Sequence, residues 1–369
     1  MIKVNLTNDI LKDILEIEKS RYKVSDVKFP KNIANKLRKN SKKKSAYSSN
    51  KIEGNPLSEK QVEEIIESDE RKHFLKPEQE IRNYFLALNY LEECISKKKA
   101  FSKELILEVQ KLVEKGASKE KIGFRGPTPP GVLFAVYDSI TGNSDYIPPE
   151  YCDIPLLIEE LVKYVNSTSD HPLIIAAVVH YQIVTIHPFE DGNGRTARLL
   201  SNYILDLNGY GFNGIGSLEE YFAYDIDEYY KSIQMGLPVL YYSGRDNPPH
   251  PEIWINYFLK MVKLYSNKTC EIQLKANEDE LTASISYLNK KEKNLLLFIL
   301  MNHKNEFTPI EISKELNTTN KTIINRLSNL VKNGFIQPIL VNKRIRSYQL
   351  SDFAKINIKT IIKHIKSES

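Results

Sequence analysis

Cysteine, tryptophan and long apolar runs are scarce in this chain of 369 residues, and each shortage removes a class of protein. The 3 cysteines, Cys94, Cys152 and Cys270, lie far apart with no CxxC pair. That pattern argues against a disulfide scaffold or a zinc site and fits a reducing cytoplasm. No unbroken apolar run exceeds 7 residues, the length of Leu173 to Val179. Crossing a bilayer takes ~18–20, so no membrane partner is expected. The opening stretch, Met1 to Asp9, has no basic segment leading into an apolar one, so no secretory signal is expected. No internal repeat or low-complexity tract occurs, and neither does a GxxxxGK(S/T) phosphate loop or an HExxH zinc pair.

What remains is a composition able to fold. Hydrophobic residues make up 41% and charged residues 27%, enough for a buried core and too balanced for a disordered polyelectrolyte. The length suits two or three domains at ~100–200 residues each. Charge is uneven: residues 286–369 hold 15 Lys and Arg against 6 Asp and Glu, a net +9. The chain total of +5 therefore leaves −4 on residues 1–285. A basic tail domain on a near-neutral body points to a modest attraction for nucleic acid, against the plainer reading of a solvated basic surface.

The chain reads mainly as helices. Residues 30–44 are basic and polar and read as loosely attached, and 41–75 has helical spacing. Residues 77–96 place Ile81, Tyr84, Phe85, Leu88 and Leu91 on one helical face with Pro77 near the start. Residues 101–115 repeat the pattern with Phe101, Leu105, Val109 and Leu112. Residues 123–149 are rich in Gly and Pro around the apolar run Val132 to Tyr137 and suit a hairpin or a long functional loop. Helices resume at 153–166 and 172–186. The second is apolar on nearly every side and belongs at the centre of a helical domain. Further helices are predicted over 195–207, 219–235 and 252–265, the last holding the single Trp, and the polar residues 266–285 read as a linker helix.

The densest signal is His187-Pro-Phe-Glu-Asp-Gly-Asn-Gly-Arg-Thr-Ala-Arg198. A His leaves the apolar helix, a glycine turn follows, and a new helix starts near Asn193. Backbone N–H groups at such a helix start, freed by Gly192 and Gly194, form an anion nest. Arg195 and Arg198 share a helical face and can grip phosphate oxygens in two-pronged fashion. Asp191 is a hard oxygen ligand suited to a phosphate-bridging Mg²⁺. His187 can take a proton from an attacking hydroxyl near neutral pH. A base, a metal ligand, a phosphate cradle and two cations make up the inventory for phosphoryl or nucleotidyl transfer. His171 and His180, standing alone, read as cap or core residues.

The segment matches the Fic signature, HxFx(D/E)GNGRxxR, at every fixed position, and the chain resembles Fic proteins over roughly residues 30–265. Gly123-Phe-Arg and Tyr146-Ile-Pro-Pro are similar to the flap region of that family, and Glu80, Asn83, Tyr84 and Ala87 to its N-terminal part. The resemblance implies a Fic-type helical bundle with a β-hairpin flap over 126–145. It implies transfer of AMP from ATP, with Mg²⁺, to a Ser, Thr or Tyr hydroxyl of a target protein or of the chain itself, releasing pyrophosphate. On that reading His187 is the base, Phe189 anchors the loop, and Asp191 holds the metal. The backbone at Gly192, Asn193 and Gly194 cradles the α- and β-phosphates, and Arg195 and Arg198 hold the β- and γ-phosphates. Tyr229 and Tyr230 match a position lining the adenine pocket. Gly194 stands where the Doc-like kinase branch carries lysine, which favours AMP transfer; the motif does not exclude the phosphocholine-transferring variant.

A second constellation, Ser49-Asn-Lys-Ile-Glu53-Gly54, taken alone is a helix end capped by Gly54 and followed by Pro56. Beside a Fic core it resembles the inhibitory motif (S/T)xxxE(G/N) of the N-terminally self-inhibited class. A Glu53 carboxylate against Arg198 would neutralise the cation that the γ-phosphate needs. In some relatives the same Glu positions a water for AMP removal, which the resemblance therefore allows here.

The C-terminal region has helices expected at 290–303, Thr308 to Leu316 and Lys321 to Lys332, ending at Gly334. Strands at Phe335 to Leu340 and Ser347 to Leu350 flank Asn342-Lys-Arg-Ile-Arg. It resembles the winged helix-turn-helix family. The divisions expected are an N-terminal helical region with the inhibitory helix (1–115), a Fic core (116–265), a linker (266–285) and the winged helix domain (286–369). Two functions compete. One is the self-inhibited adenylyltransferase. The other is a DNA-binding regulator whose Fic body senses nucleotide, with Lys321, Asn325 and Arg326 on the third helix and Lys343, Arg344 and Arg346 in the wing. DNA or protein contact through the tail domain, and a homodimer, are both left open by the sequence.

Overall fold

The computed structural model describes residues 2–25, 31–68, 73–118, 122–137, 144–235, 240–241, 248–302, 306–341 and 344–367. Two compact units divide the chain: Met1–Tyr22 with Lys31–Cys270, and Lys23–Pro30 with Glu271–Ser369. The expected boundary at 115/116 falls inside the first unit, because the N-terminal helices and the segment after them share one packed body.

The first unit is helical: α1 (Asn8–Val24), α2 (Lys31–Ile52), α3 (Glu59–Glu67), α4 (Lys76–Ser96) and α5 (Lys103–Glu114) lead into a small sheet. In it β1 (Val136–Tyr137) pairs antiparallel with β2 (Ser144–Ile147), Val136 facing Tyr146. Then follow α6 (Ile154–Ser167), α7 (Pro172–Ile186), α8 (Asn193–Leu207), α9 (Glu219–Phe222) and α10 (Ile226–Gln234). A strand the sequence reading did not include, β3 (Leu240–Tyr241), pairs parallel with β2. The hairpin expected from the Gly/Pro-rich segment is thus present as β1 and β2; residues 138–143 of the proposed flap lie outside the described residues.

α7 is the centre. Its 15 residues include Ile174, Ile175, Val178, Val179, Ile183 and Ile186, all buried. Each β-branched residue gives up about 0.5 kcal/mol of helix propensity. Burying each such side chain returns about 1.5–3 kcal/mol, so burial decides. α8 lies along α7. The Trp254 indole donates to the Ala177 carbonyl at 2.8 Å, tying α7 to α11 (Glu252–Ser286). α11 is one continuous helix that runs on through the linker helix expected at 266–285, and the division between the units falls within it.

Residues 31–44 of the basic stretch are helical, not loosely attached. They form most of α2, and acids from three other helices pair with Lys42, Lys43 and Lys44. Lys43 Nζ lies 2.7 Å from both Glu63 and Glu67 of α3. Lys42 Nζ meets Asn89 at 2.8 Å and Glu92 at 2.5 Å on α4, and Lys44 meets Glu220 of α9 at 3.0 Å. A run of like charge looks solvated when its counter-charges sit far away in sequence.

The second unit holds the end of α11, then α12 (Lys290–Asn302), α13 (Pro309–Glu315), α14 (Asn320–Lys332), β4 (Ile336–Val341), β5 (Arg344–Leu350), α15 (Asp352–Ile356) and α16 (Ile358–Ser367). Thr308 and Glu311 form a capping box at the start of α13, and Thr319 caps α14. The N–H groups of Gly334 and Phe335 return to Val331 and Leu330, each at 3.0 Å, closing α14. β4 and β5 pair antiparallel, and Phe307 bridges to Tyr348. This is a winged helix-turn-helix domain around a core that includes Leu296, Ile299, Ile312, Ile323, Leu327 and Leu350. α15 and α16 were not anticipated. Among the described wing residues, Arg344 and Arg346 lie on β5; Lys343 lies outside the described residues.

Candidate active site

The motif loop joins α7 to α8. α7 ends at His187, whose backbone is left-handed (φ 48°, ψ 57°), a conformation a non-glycine residue adopts at a cost of about 1–2 kcal/mol. The turn aims the imidazole out of the helix. Its Nδ1 lies 3.2 Å from the Val184 carbonyl, so Nδ1 carries the hydrogen and Nε2 is left as the acceptor. Burial pushes the His187 pKa down to about 4, with Arg125 adding to the effect and Val184, Glu53 and Asp191 opposing it. Phe134 packs its ring 6.1 Å from the imidazole.

The loop is braced from both sides. The Asn193 side chain accepts from the Phe189 N–H at 3.0 Å and donates to the Phe189 carbonyl at 2.9 Å. Phe189 is buried, stacks on Phe124 at 5.8 Å and bridges its backbone. The Arg125 backbone N–H bonds the Pro188 carbonyl at 2.9 Å, and its Nε bonds the His187 carbonyl at 2.9 Å. Gln110 accepts from the Gly123 N–H at 3.1 Å. Gly192 takes φ +82°, and a Cβ there would stand 2.5 Å from Glu114 Oε1. At Gly194 a Cβ would stand 2.4 Å from Glu53 Oε1. At both glycines a carboxylate oxygen fills the space a side chain would need.

Arg198 is 1% exposed and its guanidinium is fully engaged. Nε donates to Ser49 Oγ at 2.8 Å, and Nη2 donates to the Ser49 carbonyl at 3.0 Å and to Glu53 Oε1 at 2.6 Å. Burial pushes Glu53 up, but Arg198 and Arg195 outweigh it and hold its carboxyl below the usual value. α2 ends here in a Schellman turn. The Gly54 N–H reaches Lys51, the Asn55 N–H reaches Asn50, both at 3.0 Å, and Gly54 takes φ +79°. The cap and the second constellation are therefore one feature: the turn that stops the helix also fixes where Glu53 leaves it. Ser49 and Glu53 lie one helical turn apart and face the same cation.

Tyr229 does not line an open pocket. It is 1% exposed, with its hydroxyl 3.4 Å from Arg198 Nη1 and 2.8 Å from His180 Nε2. His180, expected in the core, is buried there, and burial with Arg198 nearby holds it neutral. His171 caps α7, accepting from the Leu173 N–H at 3.3 Å. Tyr230 is 43% exposed and donates to the Ile52 carbonyl at 3.4 Å, beside the end of α2. Period alone did not separate the two tyrosines: adjacent residues on a helix point about 100° apart, and only the packing says which points inward.

Arg195 differs from its expected place on a phosphate. It is 3% exposed and faces inward, with Nη2 at 3.0 Å from Glu114 and 3.2 Å from Asp191, and Nη1 at 3.6 Å from Glu80. Burial pushes Glu114 up to about 7, against the pull of Arg195 and with Asp191 and Glu80 adding to the rise. Sequence reasoning missed Glu114, because nothing local marks the last residue of α5. It missed Glu219 as well. That buried carboxylate accepts from Tyr84 (2.9 Å), Asn202 (2.8 Å), Ser45 (2.8 Å) and Ser217 (3.1 Å), joining α2 to α4, α8 and α9.

Asp191 Oδ1 accepts from the Gly192 N–H at 2.6 Å and from Arg195, while Oδ2 has no hydrogen-bond partner among the described residues. No group of three or more His, Cys, Asp or Glu suited to a metal occurs among the described residues. One half-exposed carboxylate with a spare oxygen fits an ion such as Mg²⁺, which takes its remaining ligands from phosphates and water. Among the described residues no helix is long and apolar enough to cross a membrane.

Comparison with known proteins gives the family and the fold that this chain resembles. Residues 100–205 match the Fic/DOC family, and residues 289–344 match the M protein trans-acting positive regulator (MGA) HTH domain. The chain is 32% identical over 166 residues to a protein named protein adenylyltransferase Fic from Drosophila ananassae, covering 43% of this chain and 31% of that one. It is 33% identical over 171 residues to the Drosophila melanogaster protein of the same name, covering 44% and 32%. The chain thus spans about a third of the length of these relatives. In fold it is similar to a Fic family protein from Desulfovibrio desulfuricans, with TM-score 0.58 and 18% identity over 95% of this chain and 98% of that one. It is also similar to Fic-1 from C. elegans, with TM-score 0.54 and 24% identity over 72% and 73%. The chain therefore carries a Fic/DOC domain at its centre and, C-terminal to it, a winged helix-turn-helix domain.

Proposed function

We propose that the chain is a self-inhibited protein adenylyltransferase, which moves AMP from ATP to a Ser, Thr or Tyr hydroxyl of a target protein or of itself and releases pyrophosphate. The observation that carries the reading is the Glu53 carboxylate seated between Gly194 and the fully buried Arg198 guanidinium. A carboxylate there stands in for the anion that the Gly192–Arg198 turn is built to take. His187 Nε2, left unprotonated by its Nδ1 bond to Val184, accepts the proton of the attacking hydroxyl. That hydroxyl oxygen forms a bond to the α-phosphorus, and the bond from the α-phosphorus to the oxygen bridging to the β-phosphate breaks. The N–H groups at the start of α8 orient the phosphates, and Arg198, once released by Glu53, holds the outermost. Asp191 would hold Mg²⁺, which supplies charge neutralisation on the phosphates. Removal of AMP by a water that Glu53 orients belongs to the same reading.

Intact-protein mass spectrometry of the Glu53→Gly form with Mg-ATP and lysate tests it. One adenylyl group per modified chain is expected, on the acceptor or on the protein itself. Transfer of the γ-phosphate alone would refute it.

A second reading is favoured by the match to the MGA HTH domain and by the +9 charge on residues 286–369: the chain also binds DNA. A gel shift of duplex DNA by the full chain, weakening as salt rises and lost in Lys321→Glu/Arg344→Glu/Arg346→Glu, is the expected result. No shift at low salt refutes it.

A further inference from the structure

Beneath Gly192 lies a charge cluster of which the proposed reaction uses only Asp191. Glu114 closes α5 and is 2% exposed, its carboxylate packed directly under the loop. The α5 terminus is itself pinned, because the Asn83 amide donates to the Val113 and Lys115 carbonyls at 2.8 and 2.9 Å. Three carboxylates therefore surround one guanidinium: Glu114 at 3.0 Å, Asp191 at 3.2 Å and Glu80 at 3.6 Å from Arg195. Only the contact to Asp191 is an aligned hydrogen bond; both Glu114 oxygens and the Nε and Nη1 of Arg195 are buried with no hydrogen-bond partner among the described residues. Charge balance, not a fixed two-pronged bond, thus sets where this guanidinium rests. Glu114 and Asp191 pull the same Nη2 from different elements.

We infer that Glu114 is a positioning residue: it holds Arg195 beneath the loop and so keeps the Asp191 carboxylate available to a divalent cation arriving with a nucleoside triphosphate. Without the Glu114 charge, the guanidinium closes on Asp191 and competes with the cation for it. The inference rests on the adenylyltransferase reading. A metal-directed partner of this kind typically changes metal affinity by about 10–100-fold.

The test uses the full chain in the Glu53→Gly background at pH 8, with α,β-methylene ATP as the nucleotide so that no transfer occurs. Mn²⁺ binding is read from the loss of its free electron paramagnetic resonance signal, and metal-free nucleotide binding by calorimetry in EDTA. Glu114→Gln is expected to weaken Mn²⁺ binding in the nucleotide complex about tenfold and to change EDTA binding less than twofold. Glu114→Asp, which keeps the charge, is expected to fall in between and serves if the Gln form does not fold. Unchanged Mn²⁺ affinity would overturn the inference, and so would an equal loss in both measurements, the mark of a collapsed loop. Absence of binding in the Glu53→Gly parent itself would overturn the adenylyltransferase reading as well.

Discussion

Replacing Glu53 by glycine should make the protein less stable alone and more responsive to ATP, and the two effects can be sized together. The Glu53–Arg198 contact is 2.6 Å. At an effective dielectric of about 20 the pair attracts by about 6 kcal/mol. Two facts cut that down. The Glu53 side chain is 32% exposed, and Arg198 keeps both Ser49 acceptors when Glu53 leaves. A net loss of about 2 kcal/mol is expected, below the ~3–5 kcal/mol of a fully buried pair. At about 2 °C per kcal/mol for a body of this size, the variant melts about 4 °C lower. The same 2 kcal/mol must be spent to displace the plug, so wild-type affinity for Mg-ATP falls about 30-fold. With ATP at 100 times the variant's Kd, ligand stabilises the variant by about 2.7 kcal/mol. It stabilises wild type, then at only about three times its own Kd, by about 0.9 kcal/mol. Melting curves with and without Mg-ATP should therefore show a lower start and a roughly threefold larger shift in the variant. Equal shifts, or an unchanged melting point without nucleotide, would refute the reasoning.

Three further outcomes are expected. Ser49→Ala removes the acceptor of the Arg198 Nε and should lower stability by about 1–2 kcal/mol, read from urea midpoints, while enlarging the ATP shift less than Glu53→Gly does. Gly192→Ala puts a Cβ at 2.5 Å from Glu114 Oε1 on a left-handed backbone, so a loss of at least about 1–2 kcal/mol in the same assay is expected. His187→Ala should abolish transfer and also flatten the acid limb of stability. His187 takes its proton near 4 when folded and near 6.5 when unfolded, so the unfolded chain binds more protons between those values and stability falls as pH drops through them. Arg125, Glu53 and Asp191 are the charged groups facing it, and the difference between urea midpoints at pH 7 and pH 5 should shrink in the variant while Arg125→Lys keeps it.

The turn from His187 to Arg198 was legible, the inward-facing Arg195 side chain apart, because its geometry is local. A helix end, a left-handed glycine and a helix start lie in one continuous turn, so residue types in order nearly dictate the nest. Ser49 and Glu53 were legible for a similar reason: one helical turn carries both to the same face, and Gly54 marks the stop. The partners across the fold were not legible. Glu114 and Glu80 reach Arg195 only because α4 and α5 pack against α8. The charge run on α2 became a docked helix only once Glu63, Glu67, Glu92 and Glu220 were in reach. Tyr229 and Tyr230, expected to share one role, part company, the first buried and the second half-exposed, because burial depends on the neighbours of α10 and not on the two residues themselves.

The distribution of those partners also bears on how Glu53, as the plug of the proposed reading, would leave. α2 is held at its middle by Lys42, Lys43 and Lys44, and by the Ser45 hydroxyl on buried Glu219. Pairs with one half-exposed partner, such as these, each contribute about 0.2–1 kcal/mol, and the bond to buried Glu219 adds about 1.5–3. Lifting the helix would break them together at a cost of several kcal/mol. Swinging the Glu53 side chain breaks one contact worth about 2 kcal/mol, and the Schellman turn at Gly54 can stay intact while it does so. Release by side-chain rotation is therefore the cheaper path. It makes a distinct prediction: Ser45→Ala, which loosens α2 without touching Arg198, should lower the melting temperature yet leave the Mg-ATP shift as in wild type. If Ser45→Ala instead enlarged that shift as Glu53→Gly does, the helix and not the side chain would be the moving part.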